Sequence, residues 1–143
     1  MTVSTILAEK GRHVVTIDPA ANLADPVQLL TEKRIGAALI LGADLRVVGI
    51  ISERAVVRAL AERGAAALAE PVSQTMTREV ETCNESEPIY RIMGRMTEGK
   101  FRHVPVVDQG RLVGIVSIGD VVKHRVQQME RESAQMREYI LSA

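Results

Sequence analysis

The stretch Arg46-Val47-Val48-Gly49-Ile50-Ile51-Ser52 recurs 65 positions later as Arg111-Leu112-Val113-Gly114-Ile115-Val116-Ser117. Both copies carry a basic residue, two aliphatic residues, a glycine, two further aliphatic residues and a serine in the same order. A match of this kind at a fixed spacing indicates a duplicated structural unit. The repeat therefore governs how the rest of the chain is interpreted.

The repeat continues towards the N-terminus, where the offset becomes 66 because the turn at 42–45 is one residue longer than the turn at 108–110. Insertions at turns, with matched apolar positions elsewhere, are typical of a duplicated folded unit. The sequence thus predicts a first unit at residues 1–63 and a second unit at residues 78–125. A short segment, 64–77, joins them, and an extension, 126–143, follows the second unit.

Each unit has the same pattern of apolar residues. A short strand (14–17 or 79–82) leads into an amphipathic helix, two strand-length apolar runs around a polar turn form a hairpin, and a second helix closes the unit. Asn22 and Asp25 are a candidate capping pair for the first helix. We expect an α+β, sandwich-like fold of two β-α-β-β-α repeats packed with pseudo-twofold symmetry, because one copy alone is too small to bury its sheet and helices.

Composition excludes several classes of protein. Hydrophobic residues make up 46% of the 143 residues, but aromatic residues only 2%, so base stacking on an aromatic surface has little to work with. The 18 basic and 18 acidic side chains balance, which removes the electrostatic attraction that drives most nucleic-acid binding. We expect no nucleic-acid partner.

The sequence also favours a reducing, cytoplasmic setting away from the membrane. Its one cysteine, Cys83, excludes an internal disulfide and a multi-cysteine zinc site, and packing is the favoured role for this side chain. The longest apolar runs are far shorter than the roughly 20 residues that span a bilayer. The first residues lack the pattern of a secretory signal.

The second repeat resembles a CBS domain, the module named after cystathionine β-synthase. The resemblance is carried by Thr82, by the helix with Met93 and Met96, and by the segments 101–108 and 110–120, and the first repeat resembles the domain more loosely. The two together, from about Val3 to about Arg125, are similar to a stand-alone CBS pair, or Bateman module. This implies a regulatory unit, not an enzyme, that binds adenosine-containing ligands in clefts between the repeats and associates as a homodimer.

The resemblance assigns the ribose of a bound nucleotide to Ser117 and Asp120. A carboxylate accepts hydrogen bonds from both vicinal ribose hydroxyls, and a hydroxyl at a helix start suits an anionic phosphate. The same Ser-x-x-Asp pattern before an apolar helix is also a capping box, and the two roles are compatible.

Further ligand residues follow from the resemblance. Arg102 and His103 are expected to meet the phosphate, with a solvated strand entrance as the alternative. Thr82 is expected to contact the ligand, and Val104 and Pro105 to present backbone groups and apolar surface to an adenine.

The first copy lacks two of these positions. Ala55 stands where Asp120 stands, and Gly36-Ala37 stands where Arg102-His103 stands, although Ser52 matches Ser117. We therefore predict one strong nucleotide site per chain, governed by the second repeat. Secondary candidates are Thr16, Ser52, and the basic residues Lys10, Arg12 and His13, for which a polar surface loop is the favoured alternative.

Other residues carry weaker signals. Lys123 and His124 are expected on a solvated helix face, and no pattern of catalytic or metal-ligating residues is visible. The extension is predicted to be a long C-terminal helix, because its apolar positions follow an approximate heptad, and this helix either packs on a second copy or lies across its own module. These positions are Val122, Val126, Met129, Ser133, Met136 and Ile140.

The leading hypothesis is a sensor of an adenine nucleotide, with AMP or ADP favoured and ATP or NAD(H) close behind, that acts on a regulated protein the sequence does not identify. The rivals are a homodimeric interaction scaffold that needs no ligand and a sensor of adenosyl compounds such as S-adenosylmethionine. No catalytic cofactor is expected.

Overall fold

The computed structural model describes residues 1–142, which form five helices and five strands joined by short 3-10 turns. The helices are α1 (Val3–Lys10), α2 (Ala24–Lys33), α3 (Glu53–Arg63), α4 (Ile89–Gly99) and α5 (Ile118–Ser142). The strands are β1 (Thr16–Ile17), β2 (Ala37–Leu41), β3 (Val47–Ser52), β4 (His103–Asp108) and β5 (Arg111–Ser117). The expected α+β repeat architecture and the long C-terminal helix are confirmed.

The two hairpins have equivalent registers. Ala37 pairs with Ser52 in the antiparallel β2–β3 ladder, and His103 pairs with Ser117 in the β4–β5 ladder. These pairs are related by offsets of 66 on the first strand and 65 on the second, as the sequence match requires.

The first strand differs between the repeats. β1 runs parallel to β2, whereas the strand predicted at 79–82 does not form, and only Cys83 makes a single parallel bridge with Val106. Cys83 donates its N–H to the Pro105 carbonyl, and the preceding Thr82 carbonyl accepts from the side chain of Arg95 instead of from a strand. Pairing therefore stops after one residue.

The segments that lead into the repeats are exchanged between them. The Val3 N–H donates to the Glu87 carbonyl of the second repeat, and the Val72 N–H donates to the Ala21 carbonyl of the first repeat. The nitrogen–oxygen distance is 2.9 Å in both hydrogen bonds. Helix α1, which was not predicted as a helix, presents its buried residues Val3, Ile6 and Leu7 to the core of the second repeat. The N-terminal segment thus belongs physically to the second unit.

The segment 64–77 mirrors this arrangement. Ala67 and Val72 are completely buried in the core of the first repeat, so the predicted linker is a structural part of that unit. Both units consequently depend on each other for a closed core.

Helix boundaries follow local signals in part. Helix α3 begins directly after its capping residue Ser52, whose hydroxyl accepts from the Ala55 N–H. The Asn22–Asp25 capping pair is wrong, because Leu23 caps α2 without a side-chain hydrogen bond and Asn22 is held in a bridge with Pro71. Within residues 1–142, none of the helices combines the length and the apolar character needed to cross a bilayer.

Candidate functional site

Ser117 and Asp120 form a hydrogen-bonded corner where β5 passes into α5. The Ser117 N–H donates to Oδ2 of Asp120 over 2.9 Å, the Ser117 hydroxyl lies 3.0 Å from the same oxygen, and the Asp120 N–H donates to that hydroxyl over 3.2 Å. This is a reciprocal capping box, so the capping interpretation of the sequence pattern is realised in the structure. Its carboxylate is half-buried and fixed in position.

Lys10, from the last turn of α1, completes the corner. Its Nζ donates to Oδ2 of Asp120 over 2.7 Å and to the Ile115 carbonyl over 3.0 Å. The interpretation of Lys10 as part of a polar surface loop is wrong, because the exchange of the lead-in segments carries α1 onto the second repeat. Lys10 therefore joins the candidate site despite being remote in sequence.

The surroundings keep Asp120 ionised. Burial raises the pKa of this carboxyl, but hydrogen bonds from Lys10 and Ser117 and the charge of Lys10 outweigh burial, so its pKa lies below the ordinary value. A negative charge is thus held where a ligand hydroxyl is expected to bind.

His103 lies beside this corner, at the start of β4 and opposite Ser117. Its ring packs against Gly36 of the first repeat, where an added Cβ would lie 3.2 Å from Cε1 of His103. Gly36, interpreted from sequence as a lost ligand position, therefore makes room for the histidine of the other repeat.

The surroundings of His103 favour its neutral imidazole. Burial lowers its pKa, and the charges of Lys10 and Arg102 lower it further against the opposing carboxylates of Asp120 and Glu53. A bound phosphate would add negative charge and shift the pKa upward.

The remaining second-repeat candidates lie in different environments. Arg102 is exposed, and Thr82 is half-buried with its carbonyl bonded to Arg95. Val104 is completely buried in the core, and the Pro105 carbonyl already accepts from Cys83. The expected apolar surface for an adenine is therefore wrong for both side chains, because Pro105 is buried as well, and since proline has no N–H, Pro105 could offer only a second lone pair of its carbonyl.

The first-repeat candidates are not gathered into an equivalent site. Ser52 caps α3 without a carboxylate at Ala55, the Arg12 guanidinium pairs with Glu85, and His13 and Thr16 are exposed. Of the secondary candidates, Lys10 is the one that a described contact brings to the Ser117–Asp120 corner.

A cavity of about 320 Å³ lies between β1 and α2 of the first repeat. Asp18, Asp25 and Glu32 bring three carboxylates to its wall, and Thr16 also lines it. Its size suits a small ligand, but this negative wall would repel a phosphate. We therefore place the candidate site at the Ser117–Asp120 corner of the second repeat.

Sequence reasoning missed a second contact between α1 and α5. His124 is 3% exposed, its Nε2 lies 3.1 Å from Oε2 of Glu9, and Lys123 lies 3.4 Å from Oε1 of the same carboxylate. The expected solvated helix face is wrong for His124, which lies one turn beyond the buried Val121 on the inward face. That spacing was the available signal.

The fold and the site define a tandem-repeat module with a fixed carboxylate at the junction of its first and last helices. The model of the CBS domain family matches residues 7–62 and 72–127, and the chain belongs to this family. The structure is similar to that of the CBS-domain containing protein ATU1752 from Agrobacterium tumefaciens, with a TM-score of 0.84, 45% identity, and 87% and 99% of the two chains covered.

Two other similar structures contain adenosine compounds. The CBS domain protein PAE2072 from Pyrobaculum aerophilum is complexed with AMP; it has a TM-score of 0.75 and 29% identity over 84% of this chain and 89% of its own. The CBS domain pair of protein MJ0100 is complexed with 5′-methylthioadenosine and S-adenosyl-L-methionine, with a TM-score of 0.79 and 26% identity over 90% and 98% of the chains. Curated relatives vary in length, and the chain spans 71% of one and 40% of another.

Proposed function

We propose that this protein is a regulatory module that binds an adenine nucleotide at the Ser117–Asp120 corner, with AMP or ADP favoured over ATP and NAD(H). The observation that carries the proposal is the ionised Asp120 carboxylate, which is preorganised by Ser117 and already engaged by a cation from the other end of the chain. Binding of adenosine compounds by PAE2072 and MJ0100 supports the ligand class.

The ribose would bind Asp120 in exchange for Lys10. Two vicinal hydroxyls donate to one carboxylate with charge-assisted hydrogen bonds, while Ser117 continues to hold that carboxylate through its backbone N–H. The capping role and the ligand role thus use the same group together.

The phosphate would take up the cation released by this exchange. When Lys10 leaves Asp120, the ammonium charge of Lys10 is unpaired. An anionic group near Arg102 and His103 would give this ammonium a new partner. This exchange favours phosphate-bearing adenosine compounds over neutral ones. Thr82 and the carbonyl of Pro105 would lie beside the adenosine, as the family resemblance implies, whereas the Val104 side chain stays buried in the core of the second repeat.

The readout would pass through α5. Asp120 lies in its first turn, and the Lys10–Asp120 pair holds α1 against that turn. A nucleotide that breaks the pair has a different affinity for the joined and the released arrangement, so it shifts their populations. A homodimer would convey this shift to a regulated protein.

A sensor of S-adenosylmethionine or a related compound is the second candidate, favoured by the ligands of MJ0100. Without a phosphate, Arg102 and His103 would have no anion to meet. Replacing both Arg102 and His103 should then leave the binding of S-adenosylmethionine unchanged, whereas the same replacement should weaken the binding of a nucleotide.

Isothermal titration with AMP, ADP, ATP, NADH and S-adenosylmethionine tests the proposal. We expect AMP or ADP to bind, and Asp120→Asn to weaken binding about tenfold to a hundredfold, since hydrogen bonds to charged groups contribute about 1.5–3 kcal/mol. Asp25→Asn, in the first-repeat cavity, is the matched control and should bind as the unaltered protein does.

Equal AMP affinity in the Asp120→Asn variant and the unaltered protein would overturn the ribose assignment. Indifference of the unaltered protein to all five ligands would favour the ligand-independent scaffold instead.

A further inference from the structure

The C-terminal half of α5 extends away from the rest of the molecule. Val121 and His124 are its buried residues, and every residue from Met129 to Ser142 is exposed. At 1.5 Å per residue, this part of the helix projects about 20 Å. The alternative that the extension lies across its own module is therefore wrong.

An apolar seam follows this helix. Its residues are spaced alternately by four and three positions, which is the a/d pattern of a coiled coil, and its large apolar side chains are between 47% and 64% exposed. The seam consists of Val122, Val126, Met129, Ser133, Met136 and Ile140.

Charged residues flank the seam with alternating sign. Arg125 and Glu132 occupy g positions, and Glu130 and Arg137 occupy e positions. Among residues 1–142, the described ion pairs within the chain use none of these four side chains.

We propose that this seam pairs with the seam of a second copy of the chain as a parallel, in-register, two-stranded coiled coil. In that arrangement each g residue faces the e residue five positions later on the other helix. Arg125 then faces Glu130 of the second copy, and Glu132 faces Arg137 of the second copy. Symmetry doubles both attractive pairs.

Charge disfavours the antiparallel alternative. The antiparallel register that keeps the whole seam in contact places Val126 opposite Met136, and it brings Glu130 near Glu130 and Glu132 near Glu132 of the second copy. Antiparallel registers displaced by one heptad avoid this repulsion, but they leave two seam residues without a partner. The parallel pairing alone combines full contact with opposite charges.

The seam would be the contact of the proposed homodimer, and its pairing does not depend on nucleotide binding. Because α5 begins beside Asp120, the pairing would connect the candidate sites of two copies through continuous helices. Pairing of the seam and binding of a nucleotide can therefore be measured separately.

Oxidative cross-linking of the full chain tests the orientation. Met136→Cys lies in the seam, where a parallel pair brings both thiols together, and Arg131→Cys lies on the outer face of the same helix as the matched control. Cys83 does not compete, because it is buried, and burial, together with the charge of Glu87, raises the pKa of its thiol to about 12 despite the opposing charge of Arg95.

We expect Met136→Cys to shift to the two-chain band on a denaturing gel and Arg131→Cys to remain single. Two results would overturn the parallel arrangement. One is an equal cross-linking yield for Met136→Cys and Arg131→Cys, and the other is preferential linking of Val126→Cys chains to Met136→Cys chains when the two variants are mixed. Thermal melting of each variant verifies that the fold is intact.

Charge exchange gives a second test by sedimentation equilibrium. Glu132→Lys should raise the Kd of the dimer roughly tenfold, because two exposed pairs become repulsive, and the double variant Glu132→Lys with Arg137→Glu should restore it. A dimer unaffected by either variant would show that another face holds the copies together. A monomer at all concentrations would remove the dimer while leaving nucleotide binding to be judged separately.

Discussion

Lys10 and Asp120 lie 110 residues apart in the sequence, yet Nζ of Lys10 donates a 2.7 Å hydrogen bond to Oδ2 of Asp120. The contact joins the end of the first helix to the beginning of the last one. It forms because the lead-in segment of each repeat packs on the other repeat. The side chains that would meet a ligand are therefore drawn from both ends of the chain.

Lys10→Met should distinguish two roles of Lys10 in ligand binding, namely pairing with the phosphate and competing with the ribose for Asp120. AMP affinity should fall, because the released ammonium no longer pairs with the phosphate, and 5′-methylthioadenosine affinity should rise, because Asp120 is no longer engaged. Calorimetry measures both, with Lys33→Met, at the end of α2, as the matched control. A rise in AMP affinity would mean that Lys10 acts only as a competitor.

The same variant should cost little stability. The Lys10 and Asp120 side chains are 32% and 21% exposed, so solvent screens the pair and its contribution is about 1 kcal/mol or less. Urea unfolding at neutral pH would measure the loss. A much larger loss than with Lys33→Met would show that the pair has a structural role beyond that of a surface ion pair.

Acidification should destabilise the protein in part through His103. Burial, with the charge of Lys10, lowers its pKa below the ordinary 6.5, so the unfolded chain takes up a proton first as the pH falls. This contribution is fully present above pH 6.5 and is lost as the pH falls through the folded-state pKa. Asp120, whose pKa is also lowered, contributes in the same direction only below its ordinary 3.8.

Urea unfolding between pH 7.5 and 5 measures the effect. His103→Gln should reduce the loss of stability over this range, whereas His13→Gln, at an exposed position, should leave it unchanged. A slope equal in the His103→Gln variant and the unaltered protein would contradict the assignment.

Gly114→Ala should destabilise the protein, and Gly94→Ala should stabilise it. An added Cβ at Gly114 would lie 2.7 Å from Cδ2 of the buried Leu7, and overpacking of this kind costs about 1–3 kcal/mol. At Gly94, within α4, no atom lies within 4 Å, and alanine in a helix is favoured by about 0.5–1 kcal/mol. Thermal melting compares the two, and a destabilised Gly94→Ala would contradict the account of α4.

Ala55→Asp should restore the missing carboxylate of the first repeat. We expect the unaltered protein to bind one nucleotide per chain, and the variant to gain at most one weaker site, because Gly36 still lacks a basic side chain. Calorimetric stoichiometry decides this. Two equal sites in the unaltered protein would contradict the predicted asymmetry.

The matching glycines of the two repeats are visible in the sequence, but the reason for them is visible only in the folded structure. Gly49 and Gly114 occur at matching places in the two repeats, where added Cβ atoms would meet Met76 and Leu7 respectively. The sequence reveals that both positions are glycine. The reason, the close approach of the exchanged lead-in segments, is visible only once the chain is folded.

Local patterns determined the repeat, the two hairpins, helix α3 and the long helix α5. Apolar periodicity, turn residues and caps depend on neighbours within a few residues, so they can be read along the chain. The strand predicted at 79–82 does not form, because strand pairing depends on a partner that is distant in the sequence. Here one residue, Cys83, reaches β4.

The sequence by itself thus determined the duplicated architecture, the family resemblance and the Ser117–Asp120 pair. Tertiary structure alone decided that α1 completes the second core, that Lys10 engages Asp120, that Gly36 makes room for His103 and that His124 is buried against Glu9. Each of these contacts joins residues far apart in the chain. Their proximity depends on how the whole apolar surface is buried, which no short stretch of sequence specifies.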